Sequence, residues 1–130
     1  MRYLVLSLLA LLGMAGGCKG YADLTADAFE KMLAEDKTAQ LVDVRTPEEY
    51  AAGHLPGAIN IDWWGEGFAE KAEELLDHER PVMVYCRTGK RSAEAAATLD
   101  GLFFKTYNLL GGYAGWTEAG KSVEIPDEDF

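Results

Sequence analysis

Cysteine, histidine and basic residues are all scarce in this chain. Two cysteines among 130 residues cannot form a disulfide-rich scaffold, and two histidines far apart in sequence argue against a zinc site. Twelve lysines and arginines face 22 aspartates and glutamates, for a formal net charge of −10. A nucleic-acid binder needs a basic face, so this balance argues against nucleic acid as a partner. The length and the 48% hydrophobic content indicate one folded domain.

The first 17 residues differ in composition from the rest. Arg2 is the only charged residue before Lys19, and residues 3–12 form an apolar run that is followed by small residues. This order is typical of a secretory signal peptide, and the run is shorter than the roughly 20 residues of a membrane span. The alternative is a buried N-terminal helix, although the run has no polar face. We therefore predict a signal peptide over residues 1–17 and an exported protein.

Cys18 directly follows three small residues, 15–17. This junction resembles the lipobox of bacterial lipoproteins, in which the cysteine is lipidated and becomes the new N-terminus. Ala15 stands where leucine is commoner, and Ala15 with Gly17 also satisfies the rule for a conventional cut after Gly17. The resemblance implies membrane attachment through lipidated Cys18 in the periplasm or cell envelope, whereas a conventional cut implies a free domain. The choice between inner and outer membrane stays open.

Strand and helix patterns alternate along the remaining chain. The residue patterns predict strands over 40–44, 58–61, 81–85 and 104–109, and helices over 23–36, 46–53, 68–76, 92–99 and 113–119. Thr46, Pro47 and Glu49 form a capping box with proline at the first helical position, and Gly53 is predicted to end that helix. This alternation predicts an α/β fold, with a mostly parallel central sheet and helices on both faces. The strand over 81–85 has little polar alternation and should be central. The acidic residues 123–130 are predicted to form a solvated C-terminal tail.

Cys86 ends that central strand, and residues 87–91 lead from it into a helix. A lone cysteine is usually a small buried hydrophobe, and a charge run is usually solvated surface. Here three basic residues lie within five positions of an acidic chain, and Gly89 permits a positive φ. A tight loop that enters a helix turns its N–H groups inward, which favours a thiolate and an anionic substrate. The pattern therefore predicts a nucleophilic cysteine.

Residues 86–92 resemble the active-site loop of the rhodanese (sulfurtransferase) family. Three more segments agree in order and spacing. Residues 41–50 resemble the family's Asp-Val-Arg strand with its following helix, residues 53–60 its Gly-His-Ile-Pro-Gly-Ala turn, and residues 109–116 its Gly-Gly-x-x-x-Trp terminus. The match occurs once, which indicates a single-domain member.

The resemblance implies one rhodanese-like domain over residues 22–122 and a persulfide mechanism. It implies that Cys86 takes sulfur from thiosulfate or a similar small anionic donor and passes it to cyanide or a thiol acceptor. It implies no cofactor and no metal. By the same resemblance, backbone amides of the loop hold the persulfide, and its basic side chains hold the donor's anionic end. The implied substrate-binding residues are Arg87, Thr88, Gly89, Lys90, Arg91 and Ser92.

Five residues outside the loop are further candidates for the site. We expect Asp43 to support the site by buried hydrogen bonding or by pairing, with a loop arginine as a candidate partner, and Arg45 to form a scaffold ion pair. His54 is interpreted as a turn-stabilising residue and not as a base. Trp63 and Trp64 follow a strand end, where they either wall the site or pack in the core.

Two other functions stay open at this point. Cysteine phosphatases and arsenate reductases of related fold use a Cys-x5-Arg loop, but here Arg91 comes five residues after Cys86 and Ser92 comes sixth. This shorter loop fits a sulfur atom better than a tetrahedral phosphate. A persulfide carrier or binding module without turnover is the second alternative. The sequence does not discriminate this alternative from an enzyme, and it leaves the oligomeric state open.

Overall fold

The computed structural model describes residues 20–126, so the predicted signal peptide, Cys18 and residues 127–130 lie outside the described part. The strands are β1 (Ala22–Leu24), β2 (Gln40–Asp43), β3 (Ile59–Asn60), β4 (Val82–Tyr85) and β5 (Thr106–Leu109). The helices are α1 (Ala26–Glu35), α2 (Pro47–Ala52), α3 (Phe68–Leu75), α4 (Lys90–Gly101) and α5 (Gly112–Glu118). None of these five helices is long and apolar enough to cross a membrane.

The five strands form one sheet in the order β1-β5-β4-β2-β3, and every pairing is parallel. The predicted parallel α/β fold is thus confirmed, and β4 is the central strand as expected. All four β4 residues are buried. A strand that is covered on both faces needs a continuous apolar run, which explains why this segment lacks polar alternation.

Helices cover both faces of the sheet. On one face, Val82 and Val84 of β4 pack with Ala72 of α3 and Ala96 of α4. On the other face, Met83 and Tyr85 belong to a cluster that includes Phe29 of α1 and Trp116 of α5. Successive β4 side chains point to opposite faces, so one short strand contributes to both cores.

The local signals around α2 are confirmed. The Thr46 hydroxyl accepts a hydrogen bond from the Glu49 amide at 3.2 Å, and the Glu49 carboxylate accepts one from the Thr46 amide at 3.0 Å. Pro47 occupies the start of the helix, and Gly53 ends it with a φ of 150°. These caps satisfy amide groups that a helix start leaves unbonded. They place α2 directly after the carboxyl end of β2.

The prediction of one helix over 23–36 is wrong at its start. Ala22–Leu24 form β1, which pairs with β5, and Thr25 caps α1 by accepting a hydrogen bond from the Ala28 amide. Leu24 fits the helical spacing as well as it fits this edge strand, and a three-residue strand leaves no readable alternation.

The predicted tail over residues 123–130 begins with contacts that the sequence did not predict. Val123 packs against the core, and Glu124 forms a two-bond antiparallel bridge with His54. The acidic composition of residues 123–130 predicted exposure, but composition does not show that backbone hydrogen bonds can hold the first residues of such a segment.

Candidate active site

Cys86 lies at the carboxyl end of the central strand, where β4 gives way to the loop that enters α4. Its side chain is 1% exposed. Hydrogen-bond donors of the loop face its sulfur: the Gly89 amide lies 3.0 Å from Sγ, and the Ser92 hydroxyl lies 3.4 Å from it. The loop thus encloses the sulfur as the sequence predicted.

The surroundings of Cys86 favour its thiolate form. Burial raises the pKa of the thiol, because it disfavours a charged sulfur. Hydrogen bonds from the Ser92 hydroxyl and from the amides of Ser92, Gly89 and Thr88 stabilise the thiolate and outweigh that effect, so the pKa lies below its ordinary value. A cysteine with a lowered pKa is a ready nucleophile and needs no separate general base.

Two glycines give this loop its shape. Gly89 has a φ of 110°, in the region where glycine is favoured, and it begins α4 as its N-cap. Gly112 has a φ of 58°, and a Cβ atom there would lie 2.6 Å from the Cys86 carbonyl oxygen. The close approach lets the Tyr113 amide donate to that oxygen at 2.8 Å and the Ala114 amide donate to the Arg87 carbonyl oxygen at 2.9 Å. These two hydrogen bonds therefore hold the Cys86 loop against the start of helix α5.

The three basic side chains of the loop differ in their partners. Arg91 donates to both carboxylate oxygens of Glu49, at 2.8 and 3.1 Å, and its guanidinium stacks over Trp64 at 4.3 Å. The expectation that Arg91 holds the anionic end of a donor therefore meets an obstacle, because its charge is already paired. Arg87 and Lys90 are exposed, and the ion pairs found among residues 20–126 do not include them.

Asp43 and Arg45 form a buried ion pair beside the site. The Arg45 guanidinium donates to Asp43 Oδ2 at 2.7 Å and to the Gly53 carbonyl oxygen at 2.6 Å. The Tyr85 hydroxyl donates to Asp43 Oδ2 at 2.7 Å, and the ring of Tyr113 lies 4.1 Å from the guanidinium carbon. The scaffold ion pair expected for Arg45 is confirmed. The suggestion that Asp43 pairs with a loop arginine is wrong, because its partner is Arg45, which follows just after the end of β2.

The remaining candidates, Trp63, Trp64 and His54, lie in three different surroundings. Trp63 donates its indole N–H to Glu94 at 3.0 Å and packs edge-on against Phe68, so it belongs largely to the core. Trp64 is 66% exposed and lies on Arg91, at the wall of the site. His54 stacks on a tyrosine ring at 3.9 Å, and the two bridge bonds of its backbone support the interpretation of a turn-stabilising residue.

Sequence reasoning missed three contributors to the site: Glu49, Tyr85 and Gly112. Glu49 was interpreted only as a capping residue, yet its carboxylate also binds Arg91 across 42 positions of sequence. Gly112 belonged to a recognised Gly-Gly pair, whose close contact with the Cys86 loop no local pattern shows. Among residues 20–126, no group of three or more His, Cys, Asp and Glu side chains could hold a metal ion.

Comparisons with known proteins agree with this geometry. The rhodanese-like domain family matches residues 25–119. A sulfurtransferase of Allochromatium vinosum is 30% identical over 106 residues, which cover 81% of this chain and 96% of that protein. The Bacillus subtilis "Putative sulfur carrier protein YrkF" is 31% identical over 96 residues, which cover 73% of this chain but only 50% of that protein.

A solved structure shares the fold. The crystal structure of a rhodanese-like domain protein from Staphylococcus aureus superposes with a TM-score of 0.70 at 29% identity, over 82% of this chain and 99% of that one. The family match spans nearly the whole described sheet and includes the Cys86 loop. The chain belongs to the rhodanese-like domain family.

Proposed function

We propose that this protein is a sulfurtransferase that carries a sulfane sulfur on Cys86 as a persulfide. The observation that carries the proposal is a buried cysteine sulfur that faces an amide at 3.0 Å and a hydroxyl at 3.4 Å, with a lowered pKa. The sulfurtransferase named among the relatives supports the same reaction class.

The first half-reaction loads the sulfur. The Cys86 thiolate attacks the outer sulfur of thiosulfate, a new S–S bond forms, and the S–S bond of the donor breaks. Sulfite leaves with the electron pair of the broken bond, and the outer sulfur of thiosulfate keeps its own negative charge as the terminal sulfur of the persulfide. The hydrogen-bond donors of the loop that stabilise the Cys86 thiolate also stabilise the persulfide anion.

The second half-reaction unloads the sulfur. A nucleophile such as cyanide or a thiolate attacks the terminal sulfur and forms thiocyanate or an acceptor persulfide. The Cys86 thiolate is the leaving group, so a sulfur with a lowered pKa departs readily. Two separate half-reactions with a covalent intermediate constitute ping-pong catalysis.

The exposed cations of the loop are suited to attract an anionic donor. Arg87 and Lys90 supply positive charge on an acidic protein, whereas Arg91 is paired with Glu49. Attraction of the donor then depends chiefly on Arg87, Lys90 and the loop amides.

The test is the mass of the Cys86 peptide from the reduced full chain, before and after thiosulfate, with sulfite measured in parallel. We expect a gain of one sulfur atom and one sulfite per chain, and loss of that sulfur when cyanide is added. Cys18→Ser is the matched control and should load normally, while Cys86→Ser should not load. A folded protein with a free Cys86 thiol that gains no sulfur from thiosulfate or from another persulfide donor would contradict the proposal.

A persulfide carrier is the second candidate, supported by the similarity to the named sulfur carrier of Bacillus subtilis. The two candidates share the loaded Cys86 and differ in turnover. A sulfurtransferase releases many equivalents of thiocyanate per chain from thiosulfate and cyanide, whereas a carrier releases about one. Continuous measurement of thiocyanate distinguishes them.

We also propose that the protein is exported and anchored through a lipidated Cys18, on the residue pattern of positions 1–18. Mass spectrometry of the protein from a membrane fraction should find a diacylated N-terminal cysteine, and Cys18→Ser should release the protein from that fraction. An unprocessed N-terminus would contradict export.

A further inference from the structure

A groove of about 380 Å³ lies beside the Cys86 loop. It is lined by Arg87, Tyr113, Ala114, Thr117 and Glu118. Its volume falls within the range of small-molecule sites, about 300–1,000 Å³. Hydrogen bonds from backbone amides of α5 to the carbonyl oxygens of residues 86 and 87 hold this helix against the loop. The groove therefore opens next to the residue that follows the nucleophile.

The groove carries one charge of each sign. Arg87 lies on the loop, and Glu118 lies in the last turn of α5. The two side chains line the same groove but do not form an ion pair with each other, and the ion pairs found among residues 20–126 join other groups. A groove that is lined by an arginine and a glutamate not paired with each other suits a ligand that bears both charges.

We propose that this space, the Arg87–Glu118 groove, binds the sulfur acceptor and selects an amino-acid thiol. The carboxylate of the acceptor pairs with Arg87 and its ammonium pairs with Glu118, which leaves its thiol beside the loop. The inference rests on the proposed sulfurtransferase function and adds the acceptor class to it. Free cysteine is the simplest member of this class.

The charges of the groove also distinguish the acceptor from the donor. Thiosulfate is an anion without a positive group, so Arg87 attracts it while Glu118 repels it. An amino-acid thiol satisfies both residues. In the transfer step, the acceptor thiol first loses its proton to water. Its thiolate then attacks the terminal sulfur of the Cys86 persulfide, an acceptor persulfide forms, and the Cys86 thiolate leaves.

The test measures sulfur discharge from the loaded full chain, after excess thiosulfate has been removed. Four thiols serve as acceptors: cysteine with both charges, cysteamine with the positive charge, 3-mercaptopropionate with the negative charge and 2-mercaptoethanol with neither. Each thiol is compared with itself across variants, so differences in intrinsic reactivity cancel. Glu118→Gln should lower the second-order discharge rate about three- to fivefold for cysteine and cysteamine only. Arg87→Gln should lower it similarly for cysteine and 3-mercaptopropionate only.

Two matched variants control for net charge. Glu74→Gln and Lys37→Gln remove one exposed charge each at positions outside the groove, and they should leave the pattern across the four thiols unchanged. An equal loss for all four thiols in Glu118→Gln, or no loss for cysteine, would overturn the inference.

A failure of the proposed function would be visible separately, because the chain would then not load sulfur from thiosulfate at all. In that case the groove is tested directly by calorimetry with S-methylcysteine, which carries both charges but no thiol. Binding that Glu118→Gln and Arg87→Gln each weaken supports the groove. Absence of binding to the unaltered chain overturns it.

Discussion

Two neighbouring strands of the sheet end in buried groups with opposite roles. At the end of β2, the Asp43 carboxylate is fully buried and meets the full positive charge of Arg45. At the end of β4, Cys86 is almost as buried, but its hydrogen bonds come from the N–H and O–H dipoles of its own loop, among them those of Gly89 and Ser92. An ion pair fixes the position of the Asp43 carboxylate, whereas dipoles stabilise the Cys86 thiolate and leave its sulfur able to form a bond. The first strand end is therefore suited to support the fold, and the second is suited to the proposed sulfur chemistry.

The largest expected effect comes from removal of the Cys86 thiol. Cys86→Ser should abolish sulfur transfer, because an alcohol at this position does not ionise near neutral pH. The sulfur is a single atom in an intact loop, so the thermal midpoint should stay within a few degrees of the parent value. Thiocyanate formation and thermal unfolding check the two statements. Transfer near the parent rate would place the reaction on another group.

The next largest effect comes from disruption of the buried ion pair between Asp43 and Arg45. Arg45→Met leaves the Asp43 charge buried without its partner and should lower the free energy of unfolding by about 3–5 kcal/mol. The double variant Asp43→Leu/Arg45→Met should lose less, because no charge then remains buried. Urea unfolding of both variants measures the difference. If the double variant is no more stable than the single one, the cost comes from packing and not from charge.

A smaller effect concerns the close contact between Gly112 and the backbone of the Cys86 loop. Gly112→Ala places a methyl group 2.5 Å from the Arg87 carbonyl oxygen, at a φ that disfavours alanine. We expect a loss of about 1–3 kcal/mol in stability and slower sulfur loading. Gly115→Ala is the matched control, since a Cβ there has no neighbour within 4 Å and alanine favours the helix. Equal effects of the two changes would show that the close contact is unimportant.

The smallest effect tests the ion pair at the wall of the site. Hydrogen bonding from Arg91 lowers the pKa of the Glu49 carboxyl to about 2. A carboxyl whose folded pKa is depressed stabilises the protein above its unfolded pKa, about 4.3, and loses that contribution as the pH falls towards 2. Glu49→Gln should therefore cost at most about 1 kcal/mol at pH 7 and less at pH 2.5.

Unfolding of this variant at several pH values, with Glu74→Gln as the control, measures that contribution. A cost that does not change with pH would mean that the capping hydrogen bonds of Glu49, and not its charge, stabilise the protein.

The predictable parts of the fold are those with strong local patterns. The capping box before α2 and the apolar run of β4 each carry their signal within a few residues, and both were predicted correctly. The strand β1 was missed because three residues are too few to show alternation, and its stability comes from pairing with β5. The backbone bridge between Glu124 and His54 was not predicted, because composition does not reveal such a contact.

The same distinction holds within the site. A basic loop after a buried cysteine is a local pattern, so the sequence predicted the enclosed Cys86 sulfur and the positive φ of Gly89. The partner of Arg91 was not predictable, because Glu49 lies 42 residues away and already has a sufficient local role as a cap.

The sequence by itself determined the α/β alternation, the central position of β4 and the cysteine at its carboxyl end, because these depend on periodicity, caps and the order of residues. Only the tertiary structure decided which charges of the site are paired. It joined Arg91 to Glu49, gave Asp43 the partner Arg45 in place of a loop arginine, and placed Arg87 and Glu118 in the lining of one groove. Ionic contacts depend on distances of a few ångströms between side chains, and the packing of helices and loops onto the sheet sets those distances.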